Sequence, residues 1–244
     1  MSVMSAKLHL KVGCCGFGMA QKDYMDTFPT VEVQHTFYEP PQIKTLQKWK
    51  AAAPDNFEFA IKAWQLITHT AKSPTFRRLK TELSERDAAG CGSFQNSAIV
   101  NKAWDTTLAC AEALGAERIL FQCPASFKPT DQNVEQLTSF FQRNNNHKHL
   151  KLFWEPRGDF WPPALIKQLC SQLGIFHAVD PFVHESVTPS EIYYRLHGKG
   201  GWRYDYNAGE LDELVKDLRD KSEALVFFNN VTMVDNARAF QRLS

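Results

Sequence analysis

The chain has 244 residues, 43% of them hydrophobic, with 18 Phe and 6 Trp, enough to build one sizeable core. Its 28 Lys and Arg nearly balance 27 Asp and Glu, for a formal net charge of +1, so no whole-chain basic or acidic signature marks a nucleic-acid or membrane binder. No run approaches the roughly 18 apolar residues of a membrane span, and the N-terminus "MSVMSAKLHLKVGCC" runs into a strand pattern without the apolar block of a signal peptide.

Eight short apolar or β-branched runs follow in chain order: Leu8 to Cys15, Val31 to Phe37, Phe57 to Ala63, Arg118 to Cys123, Leu150 to Trp154, Ile175 to Val179, Ile192 to Leu196 and Ala224 to Phe228. After the first, "QKDYMDTF" is only weakly helical, so the first crossover is expected to be short and irregular. "QIKTLQKWKAAA" predicts a helix after the second run. The third is followed by a long excursion, Thr68 to Gln95, of the kind that often forms a lid or binding loop. The helical stretch "NSAIVNKAWDTTLACAEALGA" comes next and stops at Gly115, a natural C-cap. "DQNVEQLTSFFQR" follows the fourth run, with Asp131 as the expected N-cap. "PPALIKQLCSQLG" follows the fifth, proline first and glycine last. "NAGELDELVKDLRDK" precedes the eighth run, and "MVDNARAFQRL" closes the chain.

Strands alternating with helices imply parallel pairing through crossovers. Eight strands in about 250 residues fit an α/β fold: a single (β/α)8 barrel domain over residues 1–244. An open doubly wound sheet fits less well, because "GCCGFG" lacks the GxGxxG spacing of a dinucleotide-binding turn. No nicotinamide or flavin cofactor is therefore expected. The six Cys show neither CxxC pairs nor disulfide-like spacing, which reads as buried thiols in a cytoplasmic protein. Adjacent Cys14 and Cys15 leave open a reactive or metal-binding pair.

Side chains alternate across a strand. The stretch "LKLFWEPRGDFW" puts Leu150, Leu152 and Trp154 on one parity and Lys151, Phe153, Glu155 and Arg157 on the other. Most other strands also gather their polar residues on one parity, which predicts a polar barrel interior. Lys11, Glu32, Glu58 and Lys151 read as a structural ion network near mid-barrel. Toward the C-terminal strand ends, where barrel enzymes assemble their sites, lie Gln34, Thr36, Tyr38, Lys62, Gln122, Glu155, Arg157, Asp180, Arg195, His197, Asn229 and Asn230.

Several stretches resemble the YecE-like family of uncharacterised proteins (domain of unknown function 72): "VEVQHTFYEPP", "WKAAAPDNFEFAIKAWQLITH", "ILFQCPASF", "FWEPRGDFW", "YYRLHGKGGW" and "VFFNNVTMVDNA". They cover nearly the whole chain in matching order. The resemblance implies a TIM-barrel-like fold and a site, but no reaction. Glu155, Arg157, Arg195, His197, Asn229 and Asn230 match the family pattern unchanged. "GCCGF" stands where the pattern has a Gly-Thr-Ser-Gly-Trp-like segment, Gln34 where it has Asn, and His35 where it has Ser.

The cations Lys62, Arg157 and Arg195, with His69 and His197, suggest a small or nucleotide-like anionic ligand, a phosphate or carboxylate held by Arg157 and Arg195. Gln34, Thr36, Tyr38, His69, Gln122, Trp202, Asn229 and Asn230 complete the expected binding set. Glu155 is the first choice for acid–base chemistry, with His197 next and Lys62 and Asp180 beside them. Whether ion pairing lowers the Glu155 pKa or burial raises it is open in the sequence. A divalent metal, held by donors such as His35, His69, Glu155, Asp180 and His197, is the weaker reading, since three cations would repel it and no HExxH-type spacing occurs. A second class is a nucleic-acid module, possibly a metal-dependent endonuclease-like barrel. Lys72, Arg77, Arg78, Lys80 and Arg86 would touch phosphates, and rim Trp64, Trp161 and Trp202 would stack on bases.

Overall fold

The computed structural model describes residues 8–244, which form a closed barrel of eight parallel strands in the order β1 to β8. The strands are β1 (His9–Cys15), β2 (Thr30–Val33), β3 (Glu58–Lys62), β4 (Arg118–Gln122), β5 (Lys151–Glu155), β6 (Phe176–Val179), β7 (Ile192–Leu196) and β8 (Glu223–Phe228). The helices, in chain order, are α1 (Gln21–Thr27), α2 (His35–Tyr38), α3 (Ile43–Ala52), α4 (Glu85–Gly90), α5 (Ala98–Leu114), α6 (Asp131–Asn144), α7 (Pro163–Leu173), α8 (Ala208–Leu218) and α9 (Met233–Leu243). A 3-10 turn at Pro74–Arg78 lies within the excursion after β3.

The caps explain several boundaries. Gly115 ends α5 and Gly174 ends α7 in the left-handed region, at φ 61° and 64°. Asn207 and Glu210 close a reciprocal capping box at the start of α8. At α6 the expected cap is corrected. Thr130, not Asp131, occupies the N-cap and accepts from Asn133 N, and Asp131 sits in the first turn, where its charge suits the helix dipole.

The second strand is also shorter than its sequence suggests. It stops at Val33, and "HTFY" turns into α2, so alternation no longer governs Thr36 and Tyr38. The β-branched and aromatic residues mimic a strand, but Thr36 Oγ1 donates to Val33 O and Lys62 O at 3.0 and 2.7 Å, locking a helical turn against β3.

Inside the barrel the polar residues separate into two levels. At the N-terminal strand ends Lys11, Glu58, Arg118, Lys151, Glu191 and Glu223 form a continuous ion-pair network. Above it an apolar layer contains Ala60, Leu120, Phe153, Ala178, Tyr193, Leu225 and Phe227. The structural network thus lies at the end of the barrel, and mid-barrel is apolar. Glu32 does not belong to that network. Its strand is offset in register, with Glu32 level with Cys15 and Ala60, and its carboxylate reaches the upper polar level.

The excursion after β3 is pinned by Phe94, fully buried although its φ is +56°. Its ring packs 5.3 and 5.6 Å from Phe140 and Phe141. Burying such a ring is worth about 1.5–3 kcal/mol, enough to offset a residue held in left-handed backbone. Gly92 is required two residues earlier: at φ +84°, a Cβ there would lie 2.5 Å from the His69 carbonyl carbon. No described helix is long and apolar enough to cross a membrane.

Candidate active site at the C-terminal mouth

Arg195 is the hub of the upper polar level. It is fully buried at the end of β7 and faces inward. Its Nε and Nη2 donate to the two oxygens of Glu32, each at 2.8 Å, and its Nη1 donates to Glu155 Oε2 at 2.6 Å. The Glu32 carboxylate also accepts from the Tyr193 hydroxyl at 2.8 Å and from the Gln34 amide. These four donors fill the acceptor capacity of a carboxylate.

Glu155, at the end of β5, accepts from Arg157 Nε at 3.0 Å, and its Oε1 lies 3.2 Å from His197 Nε2. Burial alone would raise its pKa, but Arg195 and Arg157, with His197, outweigh burial and hold it well below the usual carboxylate range. Glu155 is therefore ionised across the neutral range and has no proton to donate. Glu32 is displaced in the same direction, burial being opposed by Arg195 and Tyr193.

Two guanidinium donors face His197 Nε2, from Arg157 Nη2 and, at 3.1 Å, Arg195 Nη1. Burial and the arginines lower the pKa of the ring against the opposing pull of Glu155, a shift that favours the neutral imidazole. The Asn229 amide lies 2.9 Å from its Nδ1. Asp180 accepts from the backbone amides of His197 and Phe182 at 2.9 and 3.1 Å, so its carboxylate ties two loops together at the mouth.

Lys62, at the end of β3, is the exception. It is 4% exposed and rests over the Phe37 ring at 3.6 Å, without a hydrogen bond or ion pair among the described residues. Burial and the Arg195 charge lower its pKa to about 7, against the opposing pull of Glu32 and Glu155. His69 packs edge-on against Phe37 with ring centroids 5.0 Å apart, its Nδ1 2.8 Å from Thr68 Oγ1. Its own pKa is pushed down to about 3 by burial and by Lys62.

A cavity of about 210 Å³ opens beside this cluster, lined by Glu155, Arg157, Asp180, His184, His197 and Gly198, among others. A neighbouring cavity of about 680 Å³ continues past Pro156 and Val183 to His177 and Trp161.

Other expected residues lie elsewhere. Thr36 is occupied in the backbone bonds described above. The Tyr38 ring carries the Arg78 guanidinium 3.5 Å from its centroid. Asn230 donates to Tyr204 O, Thr232 and Asn236 and braces the loop before α9 rather than the cluster. Gln122 is half-buried at the end of β4, without a side-chain hydrogen bond among the described residues. Trp202 is 59% exposed on the β7–α8 loop. Trp64 and Trp161, expected at the rim, are both 5% exposed and belong to the core. Cys14 and Cys15 point to opposite faces, Cys14 Sγ toward Met233 O at 3.5 Å and Cys15 Sγ toward Arg195 at 3.6 Å, so they form no common site. Among the described residues no three His, Cys, Asp or Glu side chains converge as metal ligands. Glu32 and Tyr193 are the residues missed. The parity of Glu32 was readable, but its height in the barrel depends on strand stagger, which alternation does not encode.

This is a TIM-type barrel with a polar cluster at its C-terminal mouth. The chain belongs to the DUF72 family of proteins of unknown function, whose pattern it matches over residues 20–244. It is 24% identical over 239 residues to the UPF0759 protein YunF of Bacillus subtilis, covering 85% of this chain and 79% of that one. A crystal structure of a DUF72 family protein from Enterococcus faecalis superposes with a TM-score of 0.73, at 21% identity and 96% coverage of both chains. More distantly, the fold is shared with endonuclease IV from Thermus thermophilus, at a TM-score of 0.51 and 12% identity over 98% of this chain and 99% of that one.

Proposed function

We propose that the protein is an enzyme carrying out acid–base chemistry, without an organic cofactor, on a small or nucleotide-like anionic substrate at the C-terminal mouth of the barrel. The observation that carries this reading is the charge balance of the cluster. Arg157 and Arg195 match Glu32 and Glu155, and Lys62 adds a titratable cation with no counter-ion of its own among the described residues. Arg157 is the cation best placed to meet a ligand, because it lines the cavity and its side chain is 35% exposed. Its planar fork suits a phosphate or carboxylate. Thermal shift with inorganic phosphate and with sugar phosphates tests the reading. Saturable stabilisation by wild type, lost in Arg157→Ala, supports it, and no stabilisation by any anion overturns it.

A nucleic-acid-binding role, possibly as an endonuclease-like barrel, is the second reading. It draws on the exposed Trp202, with the Arg203 guanidinium 4.7 Å from its ring centroid, and on the fold shared with endonuclease IV. An exposed aromatic beside a cation suits stacking on a base. Quenching of Trp202 fluorescence by a single-stranded oligonucleotide, with a steep salt dependence, would favour it.

A further inference from the structure

Resting on the reading of an anion-binding enzyme, we propose that Lys62 is the nucleophile of this site, condensing with the carbonyl carbon of an aldehyde or ketone whose own phosphate or carboxylate is held by Arg157.

A buried ammonium normally finds an acceptor. Lys62 sits among carboxylates and takes neither, because Glu32 already accepts four donors and Glu155 is held by Arg195, Arg157 and His197. The charged groups acting on it come from several elements. Arg195 from β7 and Arg157 from the loop after β5 disfavour the cation, while Glu32 from β2 and Glu155 from β5 favour it. His69, edge-on to the Phe37 ring and with its pKa pushed down to about 3, supplies no counter-charge. The amine can thus shed its proton near neutral pH, which an ordinary surface lysine cannot.

Access is the second requirement. Lys62 Nζ has no hydrogen-bond or ion-pair partner among the described residues. The side chain is 4% exposed and stands at the C-terminal end of β3, the end at which a barrel substrate arrives. The Nζ itself lies 3.6 Å from the centre of the Phe37 ring, whose face attracts the ammonium form and fixes where the nitrogen stands.

The step balances within the site. The Nζ lone pair attacks the carbonyl carbon, and the C=O double bond gives way to C=N. The two amine hydrogens leave with the carbonyl oxygen as water. No oxidant or reductant is consumed. The imine then draws electrons from the adjacent carbon, the usual reason for covalent amine catalysis.

Pyridoxal 5′-phosphate, an aldehyde carrying a phosphate, is a direct probe on the full chain. Borohydride would reduce any imine to a stable secondary amine, located by peptide mass spectrometry between about pH 6 and pH 9. Formaldehyde with borohydride serves as the uncharged control. The expected result is labelling of Lys62 ahead of the other lysines, half-maximal near pH 7, protected by excess inorganic phosphate, at least about tenfold weaker in Arg157→Ala and absent in Lys62→Met. Failure of both probes to label Lys62, or labelling only at the pH of surface lysines, overturns the proposal. Stabilisation by phosphate without Lys62 labelling leaves the anion site standing and removes the nucleophile. Formaldehyde labelling with a midpoint near pH 7, unprotected by phosphate, supports the nucleophile and removes the anion site.

Discussion

Arg195 and Glu32 form a two-point guanidinium–carboxylate pair sealed inside the barrel, with both contacts at 2.8 Å and both side chains at most 1% exposed. The pair links β7 to β2 across the barrel interior, and Nη1 of the same arginine extends the link to Glu155 on β5. One side chain thereby sets the spacing of three strand ends.

Removing one partner of such a pair leaves a buried charge uncompensated. Arg195→Met is therefore expected to lose about 3–5 kcal/mol in urea denaturation. Arg195→Lys should recover only part of that loss, because an ammonium cannot reproduce the planar fork. Full recovery by Lys would mean that charge, not geometry, holds the three strands.

Glu155→Gln separates structure from chemistry. The change keeps the volume but removes the counter-charge of Arg157 and Arg195, so stability should fall by about 3 kcal/mol. Phosphate affinity should rise, since Arg157 is released toward the cavity. Isothermal titration with phosphate reads this directly. Weaker binding in the variant would place Glu155, rather than Arg157, in contact with the ligand.

How the sequence anticipates this site is itself informative. Inward parity identifies Lys62, Glu155, Arg195 and His197 as neighbours, because alternation is a local property of each strand. It does not rank their protonation. For Glu155 the direction of the shift is open in the sequence, and two arginines from different elements lower it, whereas burial and the Arg195 charge bring Lys62 down to about 7. The level of Glu32 depends on stagger between strands, a property of the whole barrel. The excess of polar residues on one parity likewise merges two separate levels, since Lys11 and Lys62 differ only in height. Thr36 and Tyr38 mislead for a local reason: β-branched and aromatic residues after a strand look like more strand, although a buried hydroxyl turns the chain there.

The lower network offers an independent control. Arg118 bridges Glu58, Glu191 and Glu223 at the N-terminal end, on the far side of the apolar layer from the cavity. Arg118→Leu should cost about 2–4 kcal/mol of stability, because three carboxylates lose their shared cation. Phosphate binding should be unchanged at a temperature where the variant is folded. A parallel loss of binding would show that the two polar levels are coupled through the apolar layer.

The acid limb of stability follows from Glu32 and Glu155. Both have folded-state pKa values below the ordinary carboxylate value, so in the unfolded state they bind protons at a higher pH than in the fold. Their stabilisation is full above the unfolded pKa of about 4.3 and is lost as pH falls toward the folded values. Denaturation midpoints should therefore drop steeply below about pH 4, and Glu155→Gln should flatten that slope. An unchanged slope in the variant would assign the acid transition to other carboxylates.

Lys62 predicts the opposite limb. Its folded pKa of about 7 lies below the unfolded value of about 10.4, so between these limits the unfolded chain binds the extra proton. Stability must then rise with pH across that window as the unfolded lysine gives up its proton. Below about pH 7 the fold bears the whole cost of keeping a cation there, and above about pH 10.4 it bears none. Lys62→Met removes the titrating group, and with it the ammonium over Phe37, while keeping an apolar side chain of similar length. The variant should be more stable than wild type at pH 6 by on the order of a few kcal/mol, and the gain should shrink steadily toward pH 10. Urea midpoints for the two proteins across that range decide it. A constant difference at every pH would mean that Lys62 titrates like a surface lysine, and would remove the neutral amine that the proposed nucleophile requires.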